Sequence, residues 1–357
     1  MRKFLLSVLI VLLLCQPVFA TGETLDPSAL QEGLEEDVQE IIPEIEAGET
    51  PDFWEKLILL GKNALTKASG SLHEGLRLCA FLLCIVTLCA VVDMSALKNG
   101  AMAVRVAGAL GICAAVIGTF QAMIHMASET IEQISTYSSL LLPVLASASA
   151  MSGGVSSASA LYVGTIFFSQ LLLRLISKLL IPAVYFFLAI ATAEAALGND
   201  MLSSLREFVG WIISKSLRVM LFVFVAYMSI TGVIGGSADA AAVKATKAAV
   251  SGMIPVVGSI LSDASESLLA GASLMKNAAG VIGMLAVIGI CILPLMRTGI
   301  HYLLIKTTAA VSGTVGVKEH KKLLEHITTA MGYLLAMNGA GGLLMLVSTV
   351  CFMRVMT

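Results

Sequence analysis

Apolar positions along this chain come in long runs, not in the strict alternation of a half-buried strand or the narrow stripe of a water-facing helix. From about residue 78 onward, runs of about 18 or more weakly charged apolar residues recur, and each is long enough to cross a bilayer as a helix. The pattern predicts an all-α, polytopic helical membrane protein with about 8 transmembrane segments. The expected crossings are 78–92 and 104–124, forming a hairpin within 78–125, then 158–176, 179–197, 219–236, 270–290, 291–309 and 331–353. The stretches 199–218 and 314–330 read as amphipathic helices. The segment 291–309 fits a span least well, because Arg297, His301 and Lys306 suit an interface or a polar cavity better.

Prolines suggest how the spans are organised. Only four occur beyond residue 51, and they fall as Pro143, Pro182, Pro255 and Pro294, two pairs each 39 apart and offset by 112. At that offset the stretch Ser139–Ser147 lies against Ser251–Ser259, matching Ser139 with Ser251, Pro143 with Pro255, Val144 with Val256 and Ser147 with Ser259. Arg206-Glu207 falls against Lys318-Glu319. Residues 136–236 and 248–348 therefore read as two copies of one unit, the second unit extending to 353. Three crossings per copy would invert the second relative to the first, as in many transporters.

Segments 138–151 and 250–262 are short for a span, and a proline among small residues allows a broken or re-entrant path there. Such backbone is tolerated only against protein or water, which makes Pro143, Ser147, Pro255, Gly258 and Ser259 candidate pathway residues, with Pro182 and Pro294 as further candidate breaks. In Ala146–Ala160 thirteen of fifteen residues are Gly, Ala or Ser, and Gly153-Gly154 adds another candidate break. Close helix packing is the simpler explanation of that composition.

Upstream of the spans the character changes. Arg2 and Lys3 precede an apolar run from Phe4 to Leu14, and Val18-Phe19-Ala20 offers a signal-peptidase site with cleavage after Ala20, so 1–20 reads as a signal peptide. Residues 21–77 form an acidic extracytoplasmic arm. Leu34, Val38, Ile41 and Ile45 recur at helical spacing among carboxylates, and a second helix starts at Phe53 with Trp54 suited to the headgroup region.

Composition supports this division. The chain has 357 residues, of which 57% are apolar and only 13% charged, about half the charge of a soluble domain. The net charge of −2 argues against nucleic acid as a partner. It is also a cancellation. Twelve of the 24 acidic residues lie between Glu23 and Glu55 with no Lys or Arg among them, while Leu78 onward holds sixteen basic residues against eleven acids. Lys98 and Arg105, then Arg174 and Lys178, and then Lys318, Lys321 and Lys322 mark cytoplasmic turns, with the arm outside.

No enzyme chemistry stands out. The seven cysteines contain no CxxC pair, no histidine pair has metal spacing, and no phosphate-binding loop ends in Lys-Ser or Lys-Thr, so no metal, cofactor or catalytic residue is expected. Ionisable groups inside apolar stretches are the better local clues. Glu194 and Arg297 qualify, and Asp263 with Glu266 forms a negative patch on one helical face, though residues of this kind are more often boundary or snorkelling residues.

One region carries a resemblance. The run Ser251-Gly-Met-Ile-Pro-Val-Val-Gly-Ser-Ile-Leu-Ser-Asp-Ala-Ser-Glu266, followed by Gly271, Leu274-Met-Lys-Asn277, Gly280, Gly283 and Ile292-Leu-Pro294, resembles the signature region of the stage III sporulation protein AE family. The order of signal peptide, acidic arm and multi-span body agrees along nearly the whole chain. The resemblance implies an endospore-forming bacterium and a non-enzymatic membrane subunit made in the mother cell. It implies a place in the membrane around the engulfed forespore, within a channel or secretion-like complex needed for forespore development. The implied partners are the other stage III sporulation A proteins, comprising ATPase, membrane and ring subunits, and indirectly stage II sporulation protein Q, with a homo-oligomer also open. The family brings no established catalytic residues. An independent secondary transporter and a membrane scaffold without a conduit stand as alternatives.

Overall fold

The computed structural model describes residues 53–95, 101–151, 155–198, 200–253, 257–315 and 318–354; side chains are described in these ranges outside 232–278 and the helix ends. Among the described residues the chain is entirely helical: α1 (Phe53–Ser95), α2 (Ala101–Met151), α3 (Val155–Leu175), a π turn (Ile176–Leu180), α4 (Ile181–Leu197), α5 (Asp200–Met253), α6 (Val257–Val315) and α7 (Lys318–Arg354). Helices dominate because a backbone in hydrocarbon must satisfy its own N–H and C=O groups, and the sequence supplies few interruptions. Among the described residues, six stretches are long and apolar enough to cross a membrane: 55–94, 102–151, 155–197, 201–231, 279–314 and 318–353.

Those lengths differ from the expected segmentation. The second helix of the arm and the first span are one helix, α1. Pro143 lies inside α2, so the expected short segment 138–151 is the continuous end of that helix. Segments 158–176 and 179–197 are one rod through the π turn, and 270–290 and 291–309 are one helix, α6, with Pro294 inside it. A proline interrupts a helix only if its missing donor and its ring clash go uncompensated. Before Pro182 the compensation is visible: Ile181 N–H donates to Ile176 O, five residues back, in the widened turn. The expected turn at Arg174 and Lys178 is absent, and both side chains stand exposed on the side of the rod.

Long helices packed side by side set the topology. α7 is central, contacting α2 through α6, while α1 lies at the periphery against α6 and α2. Ridges of Leu324, Ile327, Met331, Leu334, Met337, Leu344 and Phe352 give α7 its buried face. Leu60, Ala64 and Ala68 of α1 pack on Leu293 of α6. Lipid is as apolar as these side chains, so close packing and interhelical hydrogen bonds must hold the bundle together. Tyr227 donates to Ala160 O at 3.1 Å across α5 and α3, and Thr165 donates to the Ser348 hydroxyl at 3.0 Å across α3 and α7. Gly164 allows the first approach, since a methyl group there would overlap the Tyr227 ring.

Contacts also fix direction. Gly108 meets His320 and Cys89, Gly313 meets Lys321, and Glu194 meets Arg206, so the last turns of α1, α4 and α6 and the first turns of α2, α5 and α7 gather at one end. Phe53 begins α1 at the opposite end. α4 and α6 both run toward the gathered helix ends, where an inverted pair of repeats would run in opposite directions.

The outer surface has a charged girdle at mid-height. Glu129 and Glu132 of α2, Arg174 and Lys178 beside the π turn, and Lys215 and Arg218 of α5 are all exposed. They share a level because Gln170 bonds Ser135, while Phe187 faces Gly210 and Ala160 faces Tyr227. Between Arg174 and Glu194 the rod rises about 30 Å at 1.5 Å per residue, and from Val155 to Arg174 it rises about the same. Each band approximates one hydrocarbon thickness of about 30 Å.

Candidate functional site: a charged junction of three turns

α4 ends where Gly198 takes a left-handed conformation, φ 66° and ψ 33°, and its N–H caps Glu194 O at 2.8 Å. A side-chain-bearing residue pays a steric penalty in that region, so glycine defines the turn into α5. The turn brings the first helical turns of α5 back over the end of α4. Arg206 Nε then donates to Glu194 Oε2 at 2.8 Å, and its Nη2 lies 3.6 Å from Glu207 Oε1. The Arg206 guanidinium also sits over the Phe187 ring, 5.9 Å from its centroid. Side-chain exposures of 13% for Arg206 and 14% for Glu194 make this a largely desolvated pair, unlike an ordinary surface bridge.

α7 supplies the third side of the junction. His326 Nε2 stands 3.8 Å from Glu194 Oε2, beyond hydrogen-bond distance, and has no protein hydrogen-bond partner. Phe187 packs edge-on against both the His326 ring and the Tyr333 ring. At the first turn of α7, Glu319 Oε1 is 3.6 Å from Arg105 Nη1, and the His320 ring nitrogen Nε2 is 3.4 Å from Arg105 O. The carboxylates and cations thus tie α2, α4, α5 and α7 together at one end. A cavity of about 120 Å³ opens among them, lined by Glu194, Gly198, Glu319, Lys322, Leu323 and His326. Its lining of carboxylates, an ammonium group and an imidazole is suited to ion pairing and hydrogen bonding. Among the described residues no three His, Cys, Asp or Glu side chains are grouped to hold a metal.

The residues singled out in the sequence are scattered through the structure. Glu194 belongs to the junction; Arg297 does not, being half-buried in α6 with its Nε unpaired and its carbonyl accepting from or facing His301 Nδ1 at 3.0 Å. Pro143 and Pro182 are exposed, Pro294 is buried, and Ser147 donates to Val144 O at 2.9 Å within its own helix. Gly258, Ser259, Asp263 and Glu266 lie on the α6 backbone, but their side chains are outside the described residues. Ala20, Gly153, Gly154 and Pro255 are also outside them. Nothing in their local sequence brings Arg206, His326, Arg105 and Glu319 together. The sequence signal for the first is Gly198-Asn199 ending an apolar run, which folds Arg206 back onto Glu194.

Comparison with known proteins gives the chain its relatives. No solved structure matches it. Stage III sporulation protein AE of Bacillus subtilis (strain 168) is 23% identical over 220 residues, 62% of this chain and 55% of that protein, so the alignment spans about half the relative's length. The model of the family described as Stage III sporulation protein AE matches residues 37–355. That match takes in every helix described above, and with it this multi-helix membrane protein belongs to the stage III sporulation protein AE family.

Proposed function

We propose that the protein is a non-enzymatic membrane core subunit of a channel or secretion-like complex between mother cell and forespore, working with the other stage III sporulation A proteins. The observation that carries the reading is the polarity of the bundle. Arg105, Arg206, Lys318, Lys321 and Lys322 gather at the junction end, and positive turns remain cytoplasmic. The acidic arm enters α1 from the opposite end, which suits contact with ring-forming subunits outside the cytoplasm. On this reading the junction is a cytoplasmic face rigid enough to receive an ATPase subunit, and the helices carry the link across the membrane.

Two measurements test this. In a cysteine-free background, Lys322→Cys should react with an impermeant maleimide only from the cytoplasm, and Glu40→Cys only from outside; labelling of both from one side would overturn the polarity. Tagged protein from sporulating cells should co-purify with the other stage III sporulation A subunits. A functional tagged protein isolated without them, and driving coupled solute uptake alone in liposomes, would make it an independent transporter instead.

A further inference from the structure

A second cavity, of about 340 Å³, opens on the side of the bundle between α4, α5 and α7. Its wall includes Arg206, Lys215 and Arg218, together with Ser214, Trp211 and Tyr333. Among the described residues Glu207 is the one carboxylate in the lining; it lies near Arg206 and its side chain is 72% exposed. Neither Lys215 nor Arg218 has an ion-pair partner among the described residues, and both are exposed. The cavity is therefore cationic, with unspent charge.

The flanks of the cavity are apolar. Trp211, Lys215, Arg218 and Phe222 follow one another at spacings of four, three and four, so they share one face of α5. Phe208 stacks on Trp211, their rings inclined by 12° and 6.2 Å apart. Trp211 is 57% exposed and Phe222 74% exposed, and Val219 and Val223 continue the exposed apolar surface away from the junction. Lys215 and Arg218 also belong to the mid-height girdle, at the edge of a band about 30 Å tall. Indole rings favour this depth in a bilayer, with the ring in the headgroup region and the N–H able to reach a polar partner.

We infer that this cavity binds the headgroup of an anionic phospholipid. Lys215 and Arg218 neutralise the phosphate, Ser214 and Tyr333 offer hydroxyl donors, and the acyl chains lie along Val219, Phe222 and Val223. A free anion would use the cations and leave the aromatic and apolar face without a role; a neutral lipid would use the apolar face and leave the cations uncompensated.

Trp211 is a built-in reporter, since the chain has only two tryptophans. Full-length protein carrying Trp54→Phe is titrated in neutral detergent with phosphatidylglycerol or phosphatidylcholine brominated on the acyl chains. Phosphatidylglycerol should quench Trp211 at a mole fraction about 25-fold lower, at about fivefold for each of the two cations. K215Q/R218Q should abolish that preference while leaving the helical circular dichroism unchanged. Equal quenching by the two lipids overturns the assignment, as does a preference that survives K215Q/R218Q. Reversal of the phosphatidylglycerol quench by millimolar inorganic phosphate would make the ligand a free anion and overturn the lipid. The comparison of lipids on the unsubstituted cavity decides the question even if K215Q/R218Q fails to fold.

Discussion

Glu194 and Arg206 hold each other with 14% and 13% of their side chains exposed, so removing either leaves a poorly solvated charge. Glu194→Ala and Arg206→Ala should each cost about 2 kcal/mol, and the double substitution less than their sum, with a coupling of about 1–2 kcal/mol. Thermal unfolding of the four proteins of the cycle in one detergent reads this directly; additive losses would mean that the pair contributes no interaction of its own. Gly108 gives a second residue-scale test. A methyl group there would run into the His320 ring and Cys89 Sγ, whereas at Gly118 it would meet nothing within 4 Å. Gly108→Ala should destabilise by about 1–3 kcal/mol through overpacking, with Gly118→Ala close to neutral. Equal melting temperatures for the two would contradict the packing of α1, α2 and α7 at the junction. Of these residues only Glu194 was legible as unusual from its neighbours, because an acid in an apolar run is conspicuous. Arg206 sits in an amphipathic stretch where a cation looks like surface, and His326, Arg105 and Glu319 meet it or one another only through contacts distant in sequence.

At the scale of elements, the sequence was legible in kind and misleading in number. Apolar runs mark every long helix, but proline and charge imitate helix ends. The rod formed by α3, the π turn and α4 shows why. Its buried stripe passes through Leu172, Ile176, Leu180 and Val184, three steps of four residues each. A regular helix would drift off that face, since three turns take about 11 residues, and the widened turn absorbs the extra one. A phase slip of this kind looks like a boundary to any periodic reading. It also predicts which length changes the rod tolerates. Deleting Ser177 together with Pro182→Ala should give a regular helix with its faces still aligned, and the protein should remain folded. Deleting Val163 instead turns the rest of the rod by about 100° relative to its first turns, so the buried faces of α3 and α4 no longer line up. Comparable loss of folded protein from both deletions, seen by size-exclusion chromatography, would argue that the π turn does not absorb the extra residue.

For the molecule as a whole, the all-helical membrane class and the family were legible from hydropathy and from the stretch 251–294, whereas the path of the chain through a bilayer was not. Hydropathy reports apolar length and is silent on whether two lengths belong to one rod. If the girdle sits at a membrane surface, one band about 30 Å tall faces lipid, and stability should peak at an ordinary bilayer thickness. Melting temperatures in nanodiscs of increasing acyl length should rise and then fall; a steady rise into the thickest bilayers would mean that lipid covers the girdle. Two bands of similar height also give the protein two seatings in a single bilayer, one on each side of the girdle. Passing between them would drag Glu129, Glu132, Arg174, Lys178, Lys215 and Arg218 through hydrocarbon, at roughly 15 kcal/mol for the six. The seating taken at insertion is then the one the protein keeps, so its depth in the membrane is decided by how it is made.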